Sequence, residues 1–402
     1  MTGKWLSIVG IGEDGLAGLT PAAKALIDGA DVLVGGERHL AMVQVDGRET
    51  LTWPRPLTSL IPKIEQHRGR KVCVLATGDP MHFGIGVTLA RHLPIDETII
   101  VPSLSAFTLA CARLGWSTSE VDCLTLHGRP LDLLRAYTRP KAKLLVLTDD
   151  GEAPAQIAAT LCDAGYGASR MTVLEHMDGE NEGRIDGTAR DWSQDRTAEF
   201  NTVAVECMAD PDTPRRTRLP GLPDHAFSHD GQLTKREVRA VTISALAPVA
   251  GELLWDVGAG CGSVAVEWMR ADPRNRAVAI ERNSKRLGLI ADNATALGAP
   301  KLDIVDGEAP AALGDLEAPD AVFVGGGLSS DAMLPACWEA LPPGGRLVAN
   351  AVTVEGEKAL FDWCDDHDGD LSRIAISRAE PVGSYRLWRP SHPVTQYTGV
   401  KP

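Results

Sequence analysis

The chain lacks the marks of several functional classes. None of its 402 residues falls in an uninterrupted apolar run of 18, so no transmembrane helix is expected. Eight cysteines (73, 111, 123, 162, 207, 261, 337 and 364) are scattered without a C-x-x-C pair. That spacing speaks against a disulfide frame or a zinc site and suits reduced thiols. Basic charge is in deficit: 40 Lys and Arg stand against 54 Asp and Glu, a net −14. A nucleic-acid groove or an anionic membrane surface is therefore not expected as the main partner, although an anionic small substrate needs only a local basic patch. The opening MTGKWLSIVGIGEDG runs straight into a strand and a glycine turn, without signal-peptide design, so a cytoplasmic location is expected. No clear catalytic triad or metal cluster stands out. With 44% hydrophobic and 23% charged residues, the composition is that of a globular protein, and the length suits two or three domains.

The most informative stretch lies in the second half. Leu253–Val257 is a short apolar run of the kind that forms a strand buried on both faces. It breaks into three alternating glycines, Gly258, Gly260 and Gly262, with Ala259 and Cys261 between them, and a helical pattern opens at Ser263. Such a turn lets backbone N–H groups approach a ligand beside the positive end of a helix. The next apolar run ends in Glu281, 23 residues after Gly258, where a carboxylate can accept both hydroxyls of a ribose. The dinucleotide fingerprint would need glycine or alanine at Ser263. G-x-G-x-G with an acidic tip on strand two looks instead like the S-adenosylmethionine (SAM) site of class I methyltransferases.

The first half alternates strands and helices, each strand ending in a polar or glycine-rich loop, an α/β pattern with its site at the strand carboxyl ends. Gly10-Ile-Gly12-Glu-Asp-Gly15 reads as G-x-G-x-x-G, with Asp31 21 residues after Gly10. The helix signal comes too late for a dinucleotide site, at the N-cap Thr20 and Pro21, so the loop has another task. Taken in order, that loop with Leu19-Thr20, then Thr77-Gly78-Asp79-Pro80, then Pro102-Ser-Leu-Ser105-Ala106 resemble the signature loops of the tetrapyrrole (precorrin-type) methylases. The resemblance implies two α/β lobes with SAM in the cleft between them. Gly78, Asp79, Pro80, Ser105 and Ala106 would line the SAM pocket, and Gly10 and Gly12 would face the substrate trough. Leu126-His127-Gly128-Arg129 resembles the branch acting on precorrin-6Y-type substrates.

A proline- and arginine-rich stretch at 210–224 reads as a linker between a domain at 1–209 and a second at 225–402. In the second, Thr234 and Glu237 suggest a capping box opening a helix. Ile374–Arg378 and Ser384–Trp388 suggest the final hairpin of a seven-stranded sheet, with 390–402 irregular. His229-Asp230-Gly-Gln-Leu-Thr234-Lys235, Asp256 to Ser263, Val324-Gly-Gly326-Gly327 and Ala349-Asn350-Ala-Val-Thr353 resemble the decarboxylating precorrin methyltransferase domain. The expected fold is thus α/β throughout: a two-lobed tetrapyrrole methylase fold followed by a Rossmann-like, seven-stranded class I SAM methyltransferase.

Together the resemblances imply a fused, bifunctional SAM-dependent methyltransferase of cobalamin biosynthesis. Such an enzyme methylates the C-5 and C-15 meso carbons of an anionic precorrin, decarboxylates the ring C acetate and gives a precorrin-8-type product. One SAM per domain and no metal are expected, in a homo-oligomer. Electron-rich meso carbons need alignment about 3 Å from the methyl more than an activated nucleophile. Proton steering for decarboxylation falls to His229, Asp230 or Lys235, with Asn350 at a strand end beside them. Thr234, Gly307, Glu308 and Ala309 join Gly258–Gly262 and Glu281 around the cofactor, and Gly326 faces the substrate. Donors for substrate carboxylates are Arg38, Arg129, Lys235, Arg236 and Arg239, with His39, His82 and His127 on strand-end loops. Alternatives stay open: a class I methyltransferase for another metabolite or RNA with a non-catalytic first half, a nicotinamide oxidoreductase built on Gly10–Gly15, or a tetrapyrrole carrier.

Overall fold

A computed structural model describes residues 3–402. The chain forms two compact units, one of residues up to 129 with 140–213, the other of 130–139 with 214–402. The division at 213/214 falls within the proline-rich stretch, and ten residues of the first half, Pro130–Arg139, belong with the second unit.

The first unit holds two five-stranded sheets. One contains β1 (Leu6–Ile11), β2 (Val32–Gly35), β3 (Glu49–Thr52), β4 (Val72–Thr77) and β5 (Thr98–Val101), all parallel in the order β3-β2-β4-β1-β5. Its central strands are apolar on both faces. Leu6, Ile8, Val32, Val34, Val72 and Val74 fill one core, and Val9, Ile11, Leu33 and Leu75 fill the other, the period-two signature of a sheet covered twice. The second sheet comprises β6 (Val121–Thr125), β7 (Lys143–Leu147), β8 (Arg170–Glu175), β9 (Gly183–Thr188) and β10 (Asn201–Glu206), in the order β6-β7-β10-β8-β9. β6 and β7 run parallel, and the other pairings are antiparallel. As expected, the helix after the first glycine loop waits until Pro21–Asp28, with Thr20 Oγ1 accepting Ala23 N–H at 3.2 Å.

The second unit is a seven-stranded sheet. Its strands are β11 (Leu253–Val257), β12 (Arg276–Glu281), β13 (Asp303–Asp306), β14 (Ala321–Val324), β15 (Arg346–Ala351), β16 (Asp370–Ile374) and β19 (Val394–Val400). The order is β13-β12-β11-β14-β15-β19-β16, with only β19 antiparallel to its neighbours. β17 (Ser377–Val382) and β18 (Tyr385–Pro390) form a separate exposed ribbon. This corrects the expected final hairpin. The sheet is completed by β16 and β19, and the residues expected to be irregular include β19. Its sequence VTQYTGV is only partly apolar, because Thr395, Gln396 and the Tyr397 hydroxyl are buried on hydrogen bonds to Glu357, Asn350 and the Asp368 carbonyl.

The helix after the linker also starts differently. It spans Arg236–Leu246 with Lys235 at the N-cap, and Asp224 Oδ1, not Thr234, accepts the Arg236 N–H at 2.8 Å. Glu237 pairs with Arg378 at 2.6 Å instead of closing a capping box. Arg239, a candidate substrate donor by sequence, is fully buried. Its Nε donates to Glu267 Oε1 at 2.8 Å, its Nη groups donate to the Thr234 and Leu222 carbonyls, and its guanidinium lies 4.6 Å over Phe227. Glu267 also accepts the Gly221 and Leu222 N–H groups at 2.7 and 2.8 Å. With every donor spent inside, Arg239 clamps the segment before the helix and cannot reach a substrate.

Candidate active sites

In the second unit, β11 is flanked by β12 on one side and β14 on the other, so the chain reverses its winding there and leaves a crevice at the strand carboxyl ends. Gly258, Gly260 and Gly262 all have left-handed φ, +71°, +61° and +75°, and Gly262 caps the helix Ser263–Ala271. A Cβ on Gly258 would stand 3.0 Å from Gly326 N, so the cradle and the strand-four loop approach backbone to backbone. Glu281 is buried at the tip of β12; Oε2 accepts the Gly260 N–H and Oε1 the Asn283 N–H, each at 2.9 Å. Each oxygen keeps a further lone pair for ribose hydroxyls. Positive-φ glycines, a helix N-terminus and a strand-end carboxylate together fit a SAM nucleoside.

A cavity of about 820 Å³ opens above this turn. It brings together Thr234, Lys235, Gly258, Ala259, Gly260, Glu281, Gly307, Glu308, Ala309, Gly326 and Asn350. Cys261 and Gly262 lie behind it: the Cys261 thiol is buried, which raises its pKa, and its carbonyl accepts Asn293 Nδ2. His229 and Asp230 are not on the wall. His229 Nδ1 accepts the Gly231 N–H at 3.1 Å, and Arg286 pairs with Asp230 at 2.8 Å, holding that carboxyl below its usual range. Asn350 is held from behind: its Nδ2 donates to Thr242 Oγ1 at 2.9 Å and its Oδ1 accepts Gln396 Nε2 at 2.9 Å. Sequence reasoning missed His392, which lies on the wall in the loop between β18 and β19, because the strand after it went unrecognised.

Asp256, under the cradle, is fully buried with one oxygen on the Ala265 N–H at 3.0 Å and the other unpartnered. Burial, and secondarily the Glu281 charge, push its pKa to about 7.

In the first unit a cavity of about 470 Å³ gathers Gly12, Gly78, Asp79, Ser105, Ala106 and His127. Gly10, Pro80, Arg38 and Arg129 lie outside its wall. Gly10 is needed for packing, since a Cβ there would fall 1.9 Å from Gly78 O. Gly78 has φ +53°, and a Cβ would meet Leu104 O at 2.8 Å, so the three loops expected to resemble one pocket do converge. Ser105 caps the helix Ala106–Leu114 by accepting the Thr108 N–H at 3.1 Å. Arg129 lies 5.4 Å over Phe83, which does line the cavity, and His82 packs between Phe83 and Phe107. His127 Nδ1 is 2.8 Å from Asp149 in an exposed pair. His39 is driven down to a pKa of about 4, by burial first and then by Arg38. Glu13 and His176, which sequence reasoning did not single out, also face this space. No metal-binding group of His, Cys, Asp and Glu is present among the described residues, and no helix among them is long and apolar enough to cross a membrane.

Residues 6–192 match the family model of the tetrapyrrole (corrin/porphyrin) methylases, and residues 225–401 that of the precorrin methyltransferase domain. The chain is 47% identical over 399 residues to a precorrin-6Y C(5,15)-methyltransferase [decarboxylating] of Sinorhizobium sp, covering 99% of this chain and 96% of that protein. Two shorter relatives each match less than half of it. A cobalt-precorrin-7 C(5)-methyltransferase of Salmonella typhimurium is 35% identical over 177 residues, 44% of this chain and 87% of its own. A probable cobalt-precorrin-6B C(15)-methyltransferase (decarboxylating) of Saccharolobus solfataricus is 34% identical over 195 residues, 46% of this chain and 97% of its own.

Proposed function

Because the chain belongs to the family of decarboxylating precorrin-6Y C(5,15)-methyltransferases, we propose that each unit performs one methyl transfer with its own SAM, the second also releasing carbon dioxide. The overall activity is SAM-dependent C-methylation of a precorrin coupled to decarboxylation. The observation that carries the division of labour is the presence of two separate cavities, each floored by a glycine turn that a Cβ would obstruct. The shorter relatives support it, since C-5 methylation and C-15 methylation with decarboxylation occur as separate half-length proteins. The second unit carries the decarboxylating motifs and takes C-15; the first takes C-5. The substrates these two relatives are named for, cobalt-precorrin-6B for C-15 and cobalt-precorrin-7 for C-5, favour action by the second unit first.

When bound, SAM supplies a sulfonium methyl as the electrophile. In the second unit Glu281 and the Gly258–Gly260 backbone hold its nucleoside end, and Lys235 meets a substrate carboxylate from the exposed start of the helix Arg236–Leu246. Asn350, fixed by Thr242 and Gln396, presents a preset amide to the macrocycle. Decarboxylation needs a proton on the ring next to the acetate, which creates the electron sink. Asp230 is held ionised by Arg286 and is a poor donor, which leaves Lys235, on the cavity wall, and His229, off it, as the members of that cluster able to deliver one. The substrate is an anionic, cobalt-free tetrapyrrole, and a cytoplasmic homo-oligomer without nucleic acid or membrane belongs to the same reading.

Mass spectrometry of products from precorrin-6Y and SAM tests the assignment in the full chain. A split near residue 215 would strip Pro130–Arg139 from the second unit, so point variants are the better tool. Gly78→Val is expected to give gain of one methyl with loss of carbon dioxide, and Gly258→Val to retain every carboxyl. Decarboxylation by Gly258→Val would overturn it. Full decarboxylation by His229→Ala with normal SAM binding would remove His229 from the mechanism.

A further inference from the structure

Replacing a meso C–H by C–CH₃ releases one proton per methyl, so a methylating site needs somewhere to put it. We infer that in the first unit this acceptor is His176, set in place by Glu13. The inference rests on the reading that the first unit performs a methyl transfer.

Glu13 lies in the loop after β1 and His176 follows β8, 163 residues later. Glu13 Oε2 is 2.8 Å from His176 Nδ1, while its Oε1 is held by Arg38, whose guanidinium lies 4.3 Å over Phe200. The carboxylate is shielded, with 13% of the Glu13 side chain exposed, and the imidazole reaches open space with 30%. A carboxylate on Nδ1 selects the Nδ1–H tautomer and leaves the Nε2 lone pair as the base. Nε2 has no protein partner among the described residues. His176 takes a left-handed φ of +43°, a conformation that is strained for a non-glycine residue and concentrates at functional sites. Gly179 clears the way for Glu13: a Cβ there would come within 3.0 Å of the Glu13 Cβ.

The other histidines on this cavity are less suited. His39 Nε2 already meets Thr77 Oγ1 at 3.0 Å and Arg38 at 3.2 Å. His82 packs on the rings of Phe83 and Phe107, and the His127–Asp149 pair is 74% and 47% exposed.

The step balances. The meso carbon's π pair forms the bond to methyl, and the S–CH₃ bond breaks with its pair left on sulfur. The meso C–H proton then passes to His176 Nε2, and its bonding pair returns to the macrocycle. Glu13, a positioning residue, stabilises the imidazolium until the proton reaches solvent.

Three measurements on the full chain test this. First, ¹⁵N-histidine NMR without SAM, with His176 assigned by signal loss in His176→Gln, is expected to show the Nδ1–H tautomer and its collapse in Glu13→Gln. Second, His176→Gly is expected to accumulate the product with one methyl gained and carbon dioxide lost. Its C-5 rate should fall about 100-fold, with SAM still bound at both sites, and added imidazole should restore about tenfold. Third, Glu13→Gln is expected to lose about tenfold alone and nothing more in the His176→Gly background, whereas a purely structural Glu13 would add its loss. A normal second methylation by His176→Gly, or the opposite tautomer, overturns the dyad while leaving the assignment of the unit intact. Loss of decarboxylation with C-5 methylation retained would instead overturn the assignment.

Discussion

In the second unit only 23 residues separate the glycine cradle at Gly258 from its carboxylate Glu281, and one strand-turn-helix-strand segment carries both. In the first unit the groups facing the cavity come from segments after β1 to β8 and before β10, and its shielded acid–imidazole pair, Glu13 with His176, spans 163 residues. The contrast separates a site built on one contiguous motif from one built by the meeting of two lobes. Both use glycine where backbone must approach backbone, but only the first kind has a spacing that can be checked in the linear chain.

The comparison can be broken most directly at the glycines. Gly258→Val should weaken SAM binding at one of two sites by at least about 100-fold, because a side chain is forced into a positive-φ turn against Gly326. Gly78→Val should do the same at the other. Calorimetry should show each variant falling from two bound SAM to one, and two retained sites in either would refute the cradle described for that unit.

Stability should separate the units next. Arg239→Ala leaves the Glu267 carboxylate buried without its cation and should cost the second unit about 3–5 kcal/mol. The neutral buried bond from Thr148 Oγ1 to Asn201 Oδ1, 2.9 Å, should cost the first unit about 1–2 kcal/mol in Thr148→Val. Urea titrations that follow each unit's transition will measure both; equal losses would remove the distinction.

The pH responses should have opposite signs. Burial holds His39 near pKa 4, below its usual 6.5, so the unfolded chain binds the extra proton first and the first unit weakens as pH falls from 6.5 to 4. Asp256 is raised from 3.8 to about 7, so the folded state holds the proton longer and the second unit weakens as pH rises from 4 to 7. Asp256→Asn should flatten that second dependence, by about 2–4 kcal/mol at pH 8, and His39→Gln the first. Thermal melts at a series of pH values decide it, and a second unit that melts identically at pH 4 and 8 would place Asp256 in its ionised form throughout.

The smallest effect concerns substrate alone. Lys235→Ala should raise KM for the tetrapyrrole about tenfold with SAM affinity unchanged, whereas the same change at the buried Arg239 should act through stability. A shift in SAM affinity with no change in KM would move Lys235 from the substrate to the cofactor.

Most of the strands and glycine loops, the late helix at Pro21 and the run of alternating glycines before Glu281 were legible in the linear chain. They depend on apolar periodicity and on backbone conformations that only glycine adopts cheaply, which are local properties. The tertiary structure decided what depends on polar residues meeting across distance. It withdrew Arg239 into a buried pair, set Asn350 on Thr242 and Gln396, and made Val394–Val400 a strand paired on both sides although hydrogen-bonded polar side chains dilute its pattern. It also joined Glu13 to His176. A hydrophobic period announces itself along the chain, whereas a hydrogen bond between residues 163 apart exists only once both lobes have folded.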